Sequence, residues 1–228
     1  MYDCYLRYRC ISKNCSDLCI KKTKIDYLYD KAQLSKKQRV HKGLRYDSDG
    51  TDRDVFIYLS NIQKNIVNFV SNGSNLFLHS RITGNGKTEW AIRLAQEYIE
   101  SIWYKADFKP YVIFINVPHF LLALKNSIGK EDEYVEYIKS NVFSVPLVIF
   151  DEIGVRSLSE FDHEHLLNFV NARLDSGLSN IYTSNLCSDE LKEKIGARLY
   201  SRIVNASSNV EFNGKDKRCL VNGSSSIS

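Results

Sequence analysis

Apolar positions along this chain follow two rhythms. Short continuous runs at 76–79, 111–117 and 145–150 are too brief for helices and read as strands, with 111–117 and 145–150 buried on both faces, and 180–185, where Ile181 and Tyr182 are followed by three polar residues, reads as a further short strand. Residues 210–212 offer a last one. Between the runs, apolar residues return at every third or fourth position, the spacing of a helix face. Trp90, Ala91, Leu94, Ala95, Tyr98, Ile99 and Ile102 form one such stripe. Phe161, Leu166, Leu167, Phe169, Val170 and Leu174 form another, with Ser159 as N-cap and Gly177 as the stop. Pro118 opens a shorter helix through Leu121, Leu122 and Leu124. Upstream, Val55 to Val70 predicts one helix ending before Asn72 and Gly73. Residues 24–40 predict one or two short helices with Ile25, Leu28, Tyr29, Ala32 and Leu34 on the apolar side.

Polar residues interrupt this pattern where strands end. The first run passes through Thr83-Gly84-Asn85-Gly86-Lys87-Thr88-Glu89 straight into a helix, an order suited to binding phosphate. The glycines let backbone N–H groups turn inward, Lys87 supplies a point charge for the β- and γ-phosphates, and the Thr88 hydroxyl can reach Mg²⁺ at a helix N-terminus whose dipole favours anions. In G-x-x-x-x-G-K-[ST] the first glycine would stand at position 81, where this chain has Arg81. The run at 145–150 ends in Asp151 and Glu152. Neighbouring acids at the tip of a buried strand are costly unless they have a task, here holding Mg²⁺ (Asp151) and orienting the attacking water (Glu152). At the tip of 180–185, Asn185 is the candidate contact to the γ-phosphate and the water, with Thr183 and Ser184 as second choices and an ordinary helix cap as the alternative. Arg198 and Arg202, four residues apart on one helix face, suit an arginine finger reaching a neighbouring subunit's nucleotide, or else a solvated face.

Composition adds an N-terminal asymmetry. The net charge is +4, yet residues 1–47 hold 12 Lys/Arg against 5 Asp/Glu, and the other 181 hold 19 against 22. That excess fits contact with nucleic acid or an acidic partner, or a solvated helix face. Cys4, Cys10, Cys15 and Cys19 are spaced as four soft ligands for one Zn²⁺, or are small buried hydrophobes; Cys187 and Cys219 read as structural. Lacking a signal-peptide core or a membrane-length apolar run, the chain reads as soluble and cytoplasmic, with no membrane partner. A composition shift around 41–54 divides it into a Cys-rich docking module at 1–46, an ATPase body at 47–221, and a Gly/Ser tail at 222–228 expected to be disordered.

The ordered series Gly84-Asn85-Gly86-Lys87-Thr88, 149–154, 182–185 and 198–202 resembles AAA+ ATPases of the DnaC/DnaI helicase-loader type, over about residues 50–215. The resemblance implies an α/β fold with a five-stranded parallel sheet of order 5-1-4-3-2 and no C-terminal lid. It implies ATP and Mg²⁺ bound between self-associating subunits, with slow, DNA-stimulated hydrolysis. The partners implied are single-stranded DNA and a replicative helicase of the DnaB type, gripped by the N-terminal module. By matching position, Lys87 and Thr88 bind phosphate and Mg²⁺, Asp151 and Glu152 are Walker B, Asn185 is sensor 1, and Arg202, then Arg198, is the finger. The helix 118–128, with Phe120, Lys125 and Lys130, is where a DNA contact is expected, core packing being the other reading of Phe120. A transposition helper of the IstB type shares this ATPase body, and a non-hydrolysing ATP-binding adaptor is the remaining alternative. A nucleotide kinase would need a basic lid, which nothing here supplies.

Overall fold

The structure, a computed structural model, describes residues 4, 6, 10 and 19–217. At its centre five parallel strands, β1 (Asn75–His79), β2 (Val112–Asn116), β3 (Leu147–Asp151), β4 (Ser179–Ser184) and β5 (Ser208–Glu211), lie in the order β2-β3-β4-β1-β5. From the other edge this is the expected 5-1-4-3-2. Successive side chains of a strand point to opposite faces, so each strand feeds two cores. Leu76, Leu78, Val112, Phe114, Leu147, Ile149, Ile181 and Val210 enter one. Phe77, Ile113, Ile115, Val148, Phe150 and Tyr182 enter the other. Burial on both sides is why β2 and β3 read as nearly unbroken apolar runs.

The first face is covered by α1 (Ile20–Lys31), the single turn α2 (Lys36–Arg39), α3 (Arg53–Lys64), α4 (Ile66–Ser71) and α5 (Lys87–Ile102). The second carries α6 (Val117–Asn126), α7 (Glu133–Asn141), α8 (Glu160–Asp175), α9 (Ser188–Ile195) and α10 (Ala197–Asn205). Caps set several of these starts. Ser159 and Asp162 form a capping box on α8, Asp132 accepts from Val135 N–H on α7, and Asn116 accepts from His119 N–H on α6.

Two sequence expectations change. The single helix expected over 55–70 is broken at Asn65, whose backbone N–H reaches Asn61 O and Ile62 O and whose side chain also bonds Asn61 O, so α3 closes and α4 starts anew. The boundary expected near residue 46 marks no break in the core. Ile25, Leu28 and Tyr29 of α1 are buried in the same cluster as α5 and the sheet. Ala32 O accepts from Phe114 N–H at 2.9 Å, occupying a donor on the edge strand β2 that would otherwise face outward. Tyr29 Oη donates to Glu100 Oε1 at 2.6 Å, and Gln96 Nε2 to Gln38 O at 2.7 Å. Burying each large side chain of α1 contributes about 1.5–3 kcal/mol, so the segment is part of the body it was expected to flank. The tail at 222–228 and Cys219 lie outside the described residues.

Strand register decides where chemistry can collect. Asn116 lies opposite Asp151, and His79 opposite Ser184, so four strands end level and their following loops gather at one edge, where open parallel sheets bind ligands. At the other end Arg173 is fully buried. It donates to Asn180 Oδ1 (2.5 Å), Val142 O (2.6 Å), Val145 O (2.9 Å) and Ser179 O (2.7 Å), stapling α8 to the approach to β3 and the start of β4. Burial lowers its pKa to about 10.

Candidate nucleotide site

β1 delivers the chain into a loop at 80–86, and α5 begins at Lys87. Ser80 Oγ shapes the loop from within, accepting from Ile82 N–H at 2.9 Å and Asn85 Nδ2 at 2.7 Å. Lys87 arches back so that its ammonium donates to Ile82 O (2.9 Å) and Asn85 Oδ1 (3.0 Å). Gly84 and Gly86 take φ of 72° and 109°, conformations that glycine alone adopts cheaply. Arg81 is not among the residues with positive φ; its exposed side chain turns toward Cys187 Sγ at the start of α9. The missing first glycine therefore demands no forbidden backbone conformation.

At the end of β3, Asp151 is 3% exposed and its Oδ1 accepts from Thr88 Oγ1 at 2.8 Å and Thr183 Oγ1 at 2.7 Å. Burial pushes its carboxyl above the usual range against the pull of those hydroxyls. A carboxylate touching a threonine hydroxyl at an anion-binding helix start offers the hard oxygen donors that Mg²⁺ selects, so the residues present fit a magnesium–triphosphate. Thr88 and Asp151 would hold the metal, which when bound would offset charge on the phosphates.

Glu152 follows in a left-handed conformation, φ 63°, which for a side chain of this size costs on the order of 1–3 kcal/mol. The surroundings enforce it. Its N–H donates to Thr183 Oγ1 (2.9 Å), Ile153 N–H donates to Thr183 O (2.9 Å), and Ser184 Oγ donates to Ile153 O (2.8 Å). Asn116 Nδ2 then donates to Glu152 Oε2 at 2.9 Å, tying that carboxylate to the next strand. Thr183 and Ser184, second choices for a ligand contact, are thus buried fasteners, while Asn185 reaches the open space beside them.

Residues 83–89, Glu152 and Asn185 line one cavity of about 260 Å³, with Asp151 beneath it. Asn116 was not foreseen, although a lone amide at the end of the apolar run 111–117 carries the same signal that singled out Asn185. Arg198 and Arg202 are not brought here. Both are exposed on α10, and Arg202 lines a separate cavity with Asn75, at the opposite end of β1 from the loop. Phe120, expected near DNA, is fully buried in the second core, and Lys125 donates to Asp162 Oδ2 at 2.7 Å; Lys130 is exposed. Cys4, Cys10 and Cys19 are free thiols, Cys15 lies outside the described residues, and among the described residues no three His, Cys, Asp or Glu side chains gather as a metal set. No helix among them is long and apolar enough to cross a membrane.

Solved structures share this fold. A crystal structure of the DnaC helicase loader matches with a TM-score of 0.61 at 17% identity, over 78% of this chain and 100% of that one. DnaI matches with a TM-score of 0.61 at 19% identity, over 79% and 95%. The replication initiator DnaA bound to AMPPCP and single-stranded DNA matches with a TM-score of 0.56 at 18% identity, over 71% of this chain but 46% of that one. No curated protein sequence matches the chain. The model of one family, IstB-like ATP binding protein, matches residues 26–222, from within α1 to beyond β5. A strand, a glycine loop and a buried acid at the tip of β3, arranged as phosphate binding requires and spanned by that match, make this chain a member of the IstB-like ATP binding protein family.

Proposed function

We propose that this chain hydrolyses ATP and uses the cycle to load a replicative helicase of the DnaB type onto single-stranded DNA. The observation that carries the hydrolytic part is the joint geometry of Thr88, Asp151, Thr183 and Glu152 beside the Lys87 loop. Lys87 neutralises the β- and γ-phosphates, Thr88 and Asp151 hold Mg²⁺, Glu152 polarises the attacking water, and Asn185 touches the γ-phosphate and that water. Asn116 sets the Glu152 carboxylate through their 2.9 Å bond. The arginine finger is Arg202, with Arg198 second. One copy cannot join Arg202 to its own phosphate cavity, because the two sit at opposite ends of β1, so the finger acts on a neighbouring copy. That contact uses two different surfaces and generates a ring or filament. Likeness to the DnaC helicase loader supports the helicase as client.

A second reading, a transposition helper ATPase, is favoured by the family match over residues 26–222 and differs in its client, a transposase–DNA complex. A pull-down with full-length Glu152→Gln protein, with ATP or ADP, distinguishes them. Capture of a hexameric replicative helicase with ATP supports the loader. Capture of transposase alone overturns it in favour of the second reading. Steady-state phosphate release with and without single-stranded DNA tests the hydrolysis itself. Absence of turnover in both would leave an ATP-binding adaptor.

A further inference from the structure

The helix expected to meet nucleic acid, 118–128, has Phe120 in the core and Lys125 committed to Asp162. A different surface presents aromatic rings and lysines together. α5 starts in the phosphate loop at Lys87 and ends at Ile102, so the segment 103–110 that leads into β2 lies about 24 Å from the loop, at the far edge of the sheet. Tyr104 and Phe108 of this segment are 67% and 76% exposed, the most exposed Phe, Tyr or Trp side chains among the described residues.

α1 runs alongside and extends the face. Tyr27 meets the Phe108 ring edge-on, with centroids 5.3 Å apart, and its hydroxyl donates to Phe108 O at 2.9 Å. Trp103 meets Tyr104 edge-on at 6.4 Å. Lys21 Nζ stands 5.7 Å from the Trp103 centroid, and Lys31 Nζ 5.5 Å from that of Tyr27. Lys22 is taken by Asp26 and Lys109 by Asp107, but Lys21 and Lys31 pair with no carboxylate among the described residues. From Lys21 to Lys31 the row runs about 15 Å along α1.

The mixture of groups selects the occupant. Interfaces between proteins favour aromatic residues but are depleted of lysine, and here ammonium groups sit on the rings themselves. Single-stranded nucleic acid calls for both at once, since its bases stack on rings and its phosphates meet cations, whereas a duplex keeps its bases stacked on one another. We infer that the face formed by α1 and residues 103–110 binds single-stranded nucleic acid, Tyr104 and Phe108 stacking on bases and Lys21 and Lys31 neutralising phosphates. This rests on the reading above that the client is delivered to single-stranded DNA, and it puts the strand at the end of the sheet remote from the phosphate cavity, where strand and nucleotide can be held together.

Fluorescence anisotropy of a labelled oligothymidylate, titrated with the full chain with and without ATP, tests the assignment. Tyr104→Ala/Phe108→Ala removes two exposed rings and is expected to weaken binding roughly 30-fold, about fivefold for each stacked base, with wild-type thermal unfolding. Lys21→Gln/Lys31→Gln keeps the rings and is expected to flatten the slope of log affinity against log salt by about 1.4; it carries the test should the ring variant fail to fold. Unchanged affinity in the ring variant, an unchanged slope in the lysine variant, or equal wild-type affinity for a duplex of the same length overturns this surface alone. Wild-type protein that binds no single strand in either condition overturns the surface and the strand-loading reading together, and binding to phosphatidylglycerol vesicles in its place would assign the face to a membrane.

Discussion

Arg173 and Asp151 are both buried charges, set near opposite ends of β3 and β4, and the protein treats them differently. Arg173 spends its donors on three carbonyls and an amide oxygen, and no carboxylate is among those partners. Asp151 accepts from two hydroxyl groups, either of which can rotate to another partner. A buried charge whose partners are backbone carbonyls is part of the architecture. A buried anion beside a helix N-terminus, held by neutral hydrogen-bond donors, is a charge that a cation would compensate far better.

The sharpest way to break that comparison is Arg173→Leu. It strands four buried acceptors and is expected to cost about 3–5 kcal/mol in denaturant unfolding, a large part of a typical domain's stability. A loss below about 1 kcal/mol would show that the staple is dispensable. At the other end the expected losses are of function. Glu152→Gln should slow ATP turnover about 100-fold or more with ATP affinity retained. Equal losses in affinity and turnover would make Glu152 a binding residue.

Asp151→Asn should move stability in the opposite direction to Arg173→Leu. Burial raises the folded-state pKa of Asp151, so its contribution to stability is fully present below the ordinary carboxylate pKa and is lost as pH rises through the raised value. Asparagine can still accept from both hydroxyls and carries no desolvated charge. The metal-free variant should therefore melt higher than wild type at neutral pH and equal it in acid, while losing Mg²⁺-dependent nucleotide binding. A lower melting point at neutral pH would mean that the charge is compensated without metal. The smallest effect expected is that of Arg81→Gly. Arg81 is exposed and needs no positive φ, so stability should change by no more than about 0.5 kcal/mol and ATP affinity by less than about twofold. A larger gain in affinity would show that the side chain obstructs the loop.

Much of this was legible in the residues because it is local. A strand buried on both faces has to be apolar at every position, so β2 and β3 declared themselves, and their polar ends marked the edge where Asp151, Glu152 and Asn185 stand. The glycine loop was legible because phosphate binding restricts backbone and side chains together over a few residues. Asn65 ended a helix that the apolar spacing would have continued, since an amide can bond back to the preceding turn as readily as the helix can proceed. Phe120 followed the same spacing whether it faced solvent or core, and packing chose the core.

By itself, then, the sequence determined the strands, most of the helices, the phosphate loop and the acids that complement it, because short-range periodicity and motif spacing encode those. Three-dimensional contact alone decided that α1 belongs to the same core as α5 and the sheet, that Arg173 is an internal staple, that Thr183 joins Asp151 to Glu152, and that residues 42–52 and 212–217 meet across the loop. Each of these depends on bonds between residues tens to well over a hundred positions apart, where a donor and its acceptor leave no shared pattern along the chain.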